Sequence, residues 1–91
     1  MNLLTRHGNP ASAEQTIIEY SDKIVFKSYS SIICEYNPTE KTLLLHADWD
    51  YSKTTLFYFR QFIKRFTVYD YETKAKFEKL IKKDDRITTS Y

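Results

Sequence analysis

Apolar and polar positions in the first half of the chain follow a period of two in short runs, and those in the second half follow a period of three to four. The first two runs are Thr16-Ile17-Ile18-Glu19-Tyr20 and Lys23-Ile24-Val25-Phe26-Lys27, separated by Ser21-Asp22, which is a hairpin spacing. Ser28-Tyr29-Ser30-Ser31 leads into a third run, Ile32-Ile33-Cys34-Glu35-Tyr36. Asn37-Pro38-Thr39-Glu40-Lys41 is the strongest turn signal, because Pro fixes φ and Asn favours turn initiation. Thr42-Leu43-Leu44-Leu45-His46-Ala47 reads as the returning strand. Placing Glu35 and His46 outward sets Ile32, Cys34 and Tyr36 on one face opposite Leu43, Leu45 and Ala47.

After Trp49 the period lengthens, with Ser52 or Asp50 available as a helix N-cap. Leu56, Phe59, Phe62/Ile63 and Phe66 form an apolar stripe, and Lys53, Arg60, Lys64 and Arg65 fill the polar side of a helix of about four turns. A second helix is expected to be capped by Asp70, with Glu72 in its first turn, Lys79, Lys82 and Lys83 in its last, and a narrow stripe of Phe77, Leu80 and Ile81. The expected layout is a flexible N-terminal arm over residues 1–14, a single α+β domain over 15–86 and a C-terminal tail over 87–91. Its fold is an antiparallel meander of three or four strands followed by two helices, the first packed on the sheet.

Composition narrows the chemistry. Ninety-one residues support one small core. The single glycine, Gly8, excludes a glycine-rich phosphate cradle, whose backbone must approach an anion with no side chain in the way. One cysteine, Cys34, closes no intramolecular disulfide, and no apolar run is long enough to span a bilayer, so a cytoplasmic protein without a membrane partner is expected. The net charge of +2 divides unevenly: residues 1–50 hold four Lys/Arg against seven Asp/Glu, net −3, and residues 51–91 hold ten against five, net +5. That dipole admits an acidic partner for the C-terminal half.

Groups able to attack or exchange protons are few: His7, His46 and Cys34. Cys34 falls on the inferred core face, where a thiol without a cationic neighbour stays protonated, so no catalytic residues and no cofactor are expected. His46-x-Asp48-x-Asp50 has the period-two spacing of a divalent-metal trio, but a strand end and a helix cap account for the same residues, and no metal site is expected. The aromatic supply is large, with one Trp, six Phe and eight Tyr. Most must serve the core, whereas Phe57 and Tyr58 lie off the helical stripe. The candidate partner-binding residues are therefore Tyr51, Phe57 and Tyr58, with self-association as a homodimer another use of the same face. The nucleic-acid alternative uses Lys53, Arg60, Lys64 and Arg65, as cations interleaved with aromatics neutralise phosphates and stack bases.

Trp49-Asp50-Tyr51-Ser52-Lys53-Thr54-Thr55, with Ser28-Tyr29-Ser30-Ser31 upstream, resembles a short domain of unknown function that recurs in tailed phages and prophages. That family pairs a small β-meander with a W-D-Y-S-x-T-T stretch opening a helix, and the resemblance spans residues 15–66. Where its members often continue with x-Lys-His, this chain has Leu56, Phe57 and Tyr58. The resemblance implies a phage or mobile-element origin and supplies no activity. Together these readings lead us to expect a small non-enzymatic protein that binds a host or defence-system protein as an inhibitor or modulator.

Overall fold

A computed structural model describes residues 3–12 and 14–91. Strands β1 (Gln15–Glu19), β2 (Ile24–Ser28), β3 (Ser31–Asn37) and β4 (Thr42–Leu45) form an antiparallel meander. A 3-10 turn (Ala47–Asp50) leads to helix α1 (Lys53–Phe66) and then α2 (Lys74–Lys83). The expected α+β order of meander then two helices is the observed one.

Residues 87–91 are more than a tail. Ile87–Thr89 forms β5, parallel to β4, pairing Leu43 with Ile87 and Leu45 with Thr89. The sheet among the described residues thus has five strands, in the order β1-β2-β3-β4-β5. A parallel neighbour needs a crossover connection, and the two helices provide it.

β3 carries a bulge. Phe26 pairs with Cys34 but Lys27 pairs with Ile32, so Ile33 is an extra residue opposite β2. Ile33 and Cys34 are both buried, at 1% and 0% exposure, whereas Ile32 is 42% exposed. The expectation for Ile32 is therefore corrected, while Cys34, Tyr36, Leu43 and Leu45 are buried in the core. Ala47 leaves the strand for the 3-10 turn and is exposed.

Helix α1 covers the inner sheet face. Its Ser52 cap accepts a hydrogen bond from the Thr55 amide at 3.1 Å, and it buries Thr55, Phe59, Phe62 and Ile63. The Phe62 ring stacks on Phe26 with centroids 5.8 Å apart, which seats the helix on β2. Trp49 wedges between the helices, its ring 5.3 Å from both Phe59 and Phe77. Helix α2 starts later than expected: its cap is Thr73, which accepts from Lys76 N–H at 3.2 Å, and Asp70 instead accepts from Tyr71 N–H. Tyr69 and Tyr71 explain the delay. Both are buried, and Tyr69 donates its hydroxyl hydrogen to the Lys41 carbonyl at 2.7 Å, so the link stays non-helical until both rings are seated.

Residues 3–11 of the expected flexible arm are docked on α1; residues 1, 2 and 13 of that arm lie outside the described residues. Leu3 is fully buried in the core. The chain then turns back through Gly8, at φ +81, with the Thr5 amide donating to Asn9 C=O and the Ala11 amide to Leu3 C=O, each at 2.7 Å.

Candidate functional site

A group of uncharged polar side chains lies where the β2–β3 hairpin tip meets the start of α1. Ser28 and Ser31 pair at the end of the two strands, leaving Tyr29 and Ser30 as a two-residue loop. Such loops require a positive φ at one or both central positions, a requirement usually met by Gly, Asn or Asp. In a chain with one glycine, Tyr29 occupies the position itself, at φ 55. Its amide donates to the Glu14 carbonyl at 2.6 Å, which ties the tip to the entry of β1.

Opposite the tip stands the corner between the 3-10 turn and α1. Trp49 is its buried anchor and Ser52 its cap, with the Thr55 hydroxyl 3.1 Å from the Ser52 hydroxyl. Tyr51, between anchor and cap, faces solvent. Tip and corner enclose a cleft of about 610 Å³, a volume in the range of small-ligand sites. Buried Ile33, Ser28 and Thr55 line it together with exposed Tyr29 and Tyr51, which are 70% and 79% exposed. Among the described residues, Asp48 contributes the only charge to the lining. Gln15 also lines the cleft, and its Oε1 is buried without a hydrogen-bond donor among the described groups.

The residues expected to meet partners fall in different places. Tyr51 is on the rim of this cleft. Tyr58 is half-buried against the core, and Phe57 is half-buried beside it, ring centroids 5.2 Å apart. The cover over Phe57 comes from the N-terminal segment, whose Arg6 guanidinium sits 4.7 Å above the ring. Lys53, Arg60, Lys64 and Arg65 are all exposed. Lys64 and Arg65 line a second groove with Phe57 and Arg6, while Arg60 lies 5.9 Å from the Tyr71 ring.

His46, Asp48 and Asp50 do not converge. The strand ends at Leu45; His46 Nε2 lies 2.7 Å from Glu35, Asp50 pairs with Lys74 at 3.1 Å, and Asp48 faces the cleft. Among the described residues no three His, Cys, Asp or Glu side chains are grouped to hold a metal. Cys34 is fully buried, and loss of solvent pushes its thiol well above the ordinary range.

Tyr29, Gln15 and Arg6 are absent from the sequence-derived candidates. A signal existed for Tyr29, which sits in the Ser28-Tyr29-Ser30-Ser31 stretch between two strands. None existed for Gln15, whose burial depends on tertiary packing, or for Arg6, whose place depends on the docking of Leu3.

The chain belongs to a family of unknown function, DUF8033, whose model matches residues 2–91. No curated protein and no solved structure is significantly similar to it. Among the described residues no helix is long and apolar enough to cross a membrane.

Proposed function

We propose that this protein is a non-catalytic binding module that captures a segment of a partner protein in the cleft between the hairpin tip and the helix corner. The observation that carries the reading is Tyr29: a large aromatic, mostly exposed, held in the left-handed backbone region where a turn ordinarily uses glycine. Such a position costs about 1–2 kcal/mol, and costs of that kind gather at functional sites. Tyr51 stands on the opposing rim, and Ser28, Ser31, Ser52 and Thr54 line the space between. Tyrosine supplies rigid amphipathic contact area at low entropic cost and small hydroxyls supply adaptable hydrogen bonds, the combination that antibody paratopes use on protein surfaces. With no cation among the described lining residues and Asp48 present, the cleft disfavours a nucleic-acid backbone.

Binding is favoured over catalysis because Cys34 is sealed in the core and His46 is engaged by Glu35. The resemblance to a phage and prophage domain supports a host or defence-system protein as the partner, with the chain acting as its inhibitor or modulator. The test is selection of peptides from a displayed library on the immobilised protein, followed by calorimetry of the best binder. Tyr29→Ala and Tyr51→Ala should each weaken it at least about tenfold, as expected of aromatic hot spots. Selected peptides that bind both variants as tightly as the native protein would overturn the assignment.

A further inference from the structure

Helix α1 carries four cations, Lys53, Arg60, Lys64 and Arg65, and no acidic residue. At ~100° per residue, Lys53, Phe57, Arg60 and Lys64 fall within about 60° of one another around the helix, on the face turned away from the sheet. The docked N-terminal segment adds Arg6 to this face, its guanidinium over Phe57 at 4.7 Å. Ion pairs among the described residues engage Lys23, His46, Lys74, Lys76 and Arg86; Arg6, Lys53, Arg60 and Lys64 are in none of them. Arg60 and Lys64, one turn apart, repel each other along the helix. Arg6, Lys53, Arg60 and Lys64 therefore concentrate positive charge with no ion pair among the described residues.

Shape adds to charge. A groove of about 740 Å³ runs between the N-terminal turn and α1, lined by Arg6, Lys64 and Arg65 with the half-buried Phe57 ring, and no carboxylate is among its described lining residues. From Lys53 to Lys64 the helix rises ~16 Å, long enough to follow several backbone phosphates. We propose that the outer face of α1, completed by Arg6, binds single-stranded nucleic acid. Phosphates run along Lys53, Arg60 and Lys64, and a base enters the groove to stack against the Arg6–Phe57 pair, as bases do on aromatic rings and guanidinium planes. A peptide of Asp and Glu alone would satisfy the cations but has no flat ring for that pair. No described residue lines both this groove and the tyrosine cleft, so the two surfaces are separate.

Fluorescence anisotropy of a labelled oligothymidylate, titrated with the full chain at several salt concentrations, tests the assignment. Single strands give a log–log slope of about −0.7 per phosphate neutralised, so the three contacts at Lys53, Arg60 and Lys64 predict ~20-fold weaker binding between ~50 and ~200 mM salt. Lys53→Gln/Lys64→Gln, both on exposed positions, should flatten that slope by about 1.4 while the melting temperature stays unchanged. Phe57→Leu should weaken binding and leave the slope intact. Tyr51→Ala should bind the oligonucleotide normally, which separates this surface from the peptide cleft. Absence of binding at ~50 mM salt, an unchanged slope in the double variant, or displacement by oligoglutamate as effective as by unlabelled oligonucleotide would each overturn the proposal.

Discussion

The side-chain amide of Gln61 holds both backbone polar groups of Leu4, accepting from its N–H at 2.9 Å and donating to its C=O at 2.6 Å. It thereby acts as a one-residue strand partner on the surface of α1. Leu3, the next residue back, is fully buried, so the pair of hydrogen bonds and the apolar side chain seat the N-terminal segment together.

Removing that clamp should loosen the segment without unfolding the domain. Two part-buried hydrogen bonds contribute roughly 0.5–1.5 kcal/mol each, so Gln61→Ala is expected to cost about 1–3 kcal/mol in urea unfolding. Hydrogen exchange at Leu4 and Ala11 should accelerate far more than exchange in β3. Uniform acceleration across the chain would show that the segment and the sheet open as one unit.

Tyr29 and Lys41 are the two non-glycine residues with positive φ among the described residues, at 55 and 59. Glycine at either place relieves strain of about 1–2 kcal/mol in the folded state and adds roughly 0.5–1 kcal/mol of entropy to the unfolded one. Tyr29→Gly and Lys41→Gly should therefore leave stability unchanged or raise it by up to ~1.5 kcal/mol. They part on binding: only Tyr29→Gly should abolish affinity for cleft-selected peptides, because Lys41 lies in the β3–β4 turn, away from the cleft. A loss of more than ~1 kcal/mol in Tyr29→Gly would make the tyrosine a structural residue and remove the main argument for the cleft.

On the outer sheet face, Glu35 lies 2.8 Å from Lys23 Nζ and 2.7 Å from His46 Nε2. The hydrogen bond from Lys23 holds the Glu35 carboxyl below its ordinary range, with His46 acting in the same direction and partial burial opposing both. The unfolded chain therefore binds more protons than the folded one in the window below the ordinary glutamate pKa of ~4.3. Stability from this group is present above that value and is lost as pH falls through the lower folded value. The Glu35 hydrogen bond raises Lys23 in turn, so its contribution is present below the ordinary lysine range and is lost as pH rises through its raised value. Urea midpoints measured from pH ~3 to ~6 should show a shallower acid limb in Glu35→Gln than in the native protein. Identical limbs would place the acid sensitivity elsewhere.

Much of this architecture was legible where local chemistry decides it. Asn37 forms the expected turn by accepting from the Thr39 and Glu40 amides at 3.0 Å, and Ser52 caps α1 as its position before the apolar stripe implies. The features that escaped depend on distant parts of the chain. Ile87-Thr88-Thr89 becomes a strand only because α1 and α2 return it beside β4. Leu3 lies in a stretch with no apolar period, and its burial in the core follows from tertiary packing that periodicity does not describe. The cleft joins Tyr29 to Tyr51 across two strands and a 3-10 turn, so each tyrosine alone reads as a surface residue.

The β3 bulge escaped for a different reason, which also makes it testable. Ile32-Ile33-Cys34 is apolar throughout, so a period-two reading has no polar residue to mark the step at which alternation slips. The structure inverts the two isoleucines relative to simple alternation, burying Ile33 to 1% exposure and leaving Ile32 at 42%. Ile33→Ala should therefore cost about 2–4 kcal/mol through lost burial and the cavity left behind. Ile32→Ala should cost no more than about 0.5 kcal/mol, as expected of a solvent-facing site. Both are read by urea unfolding with the fluorescence of Trp49, the single tryptophan, as reporter. Unbroken alternation predicts the opposite ranking, so a larger loss in Ile32→Ala would remove the bulge and, with it, the buried Ile33 floor of the cleft.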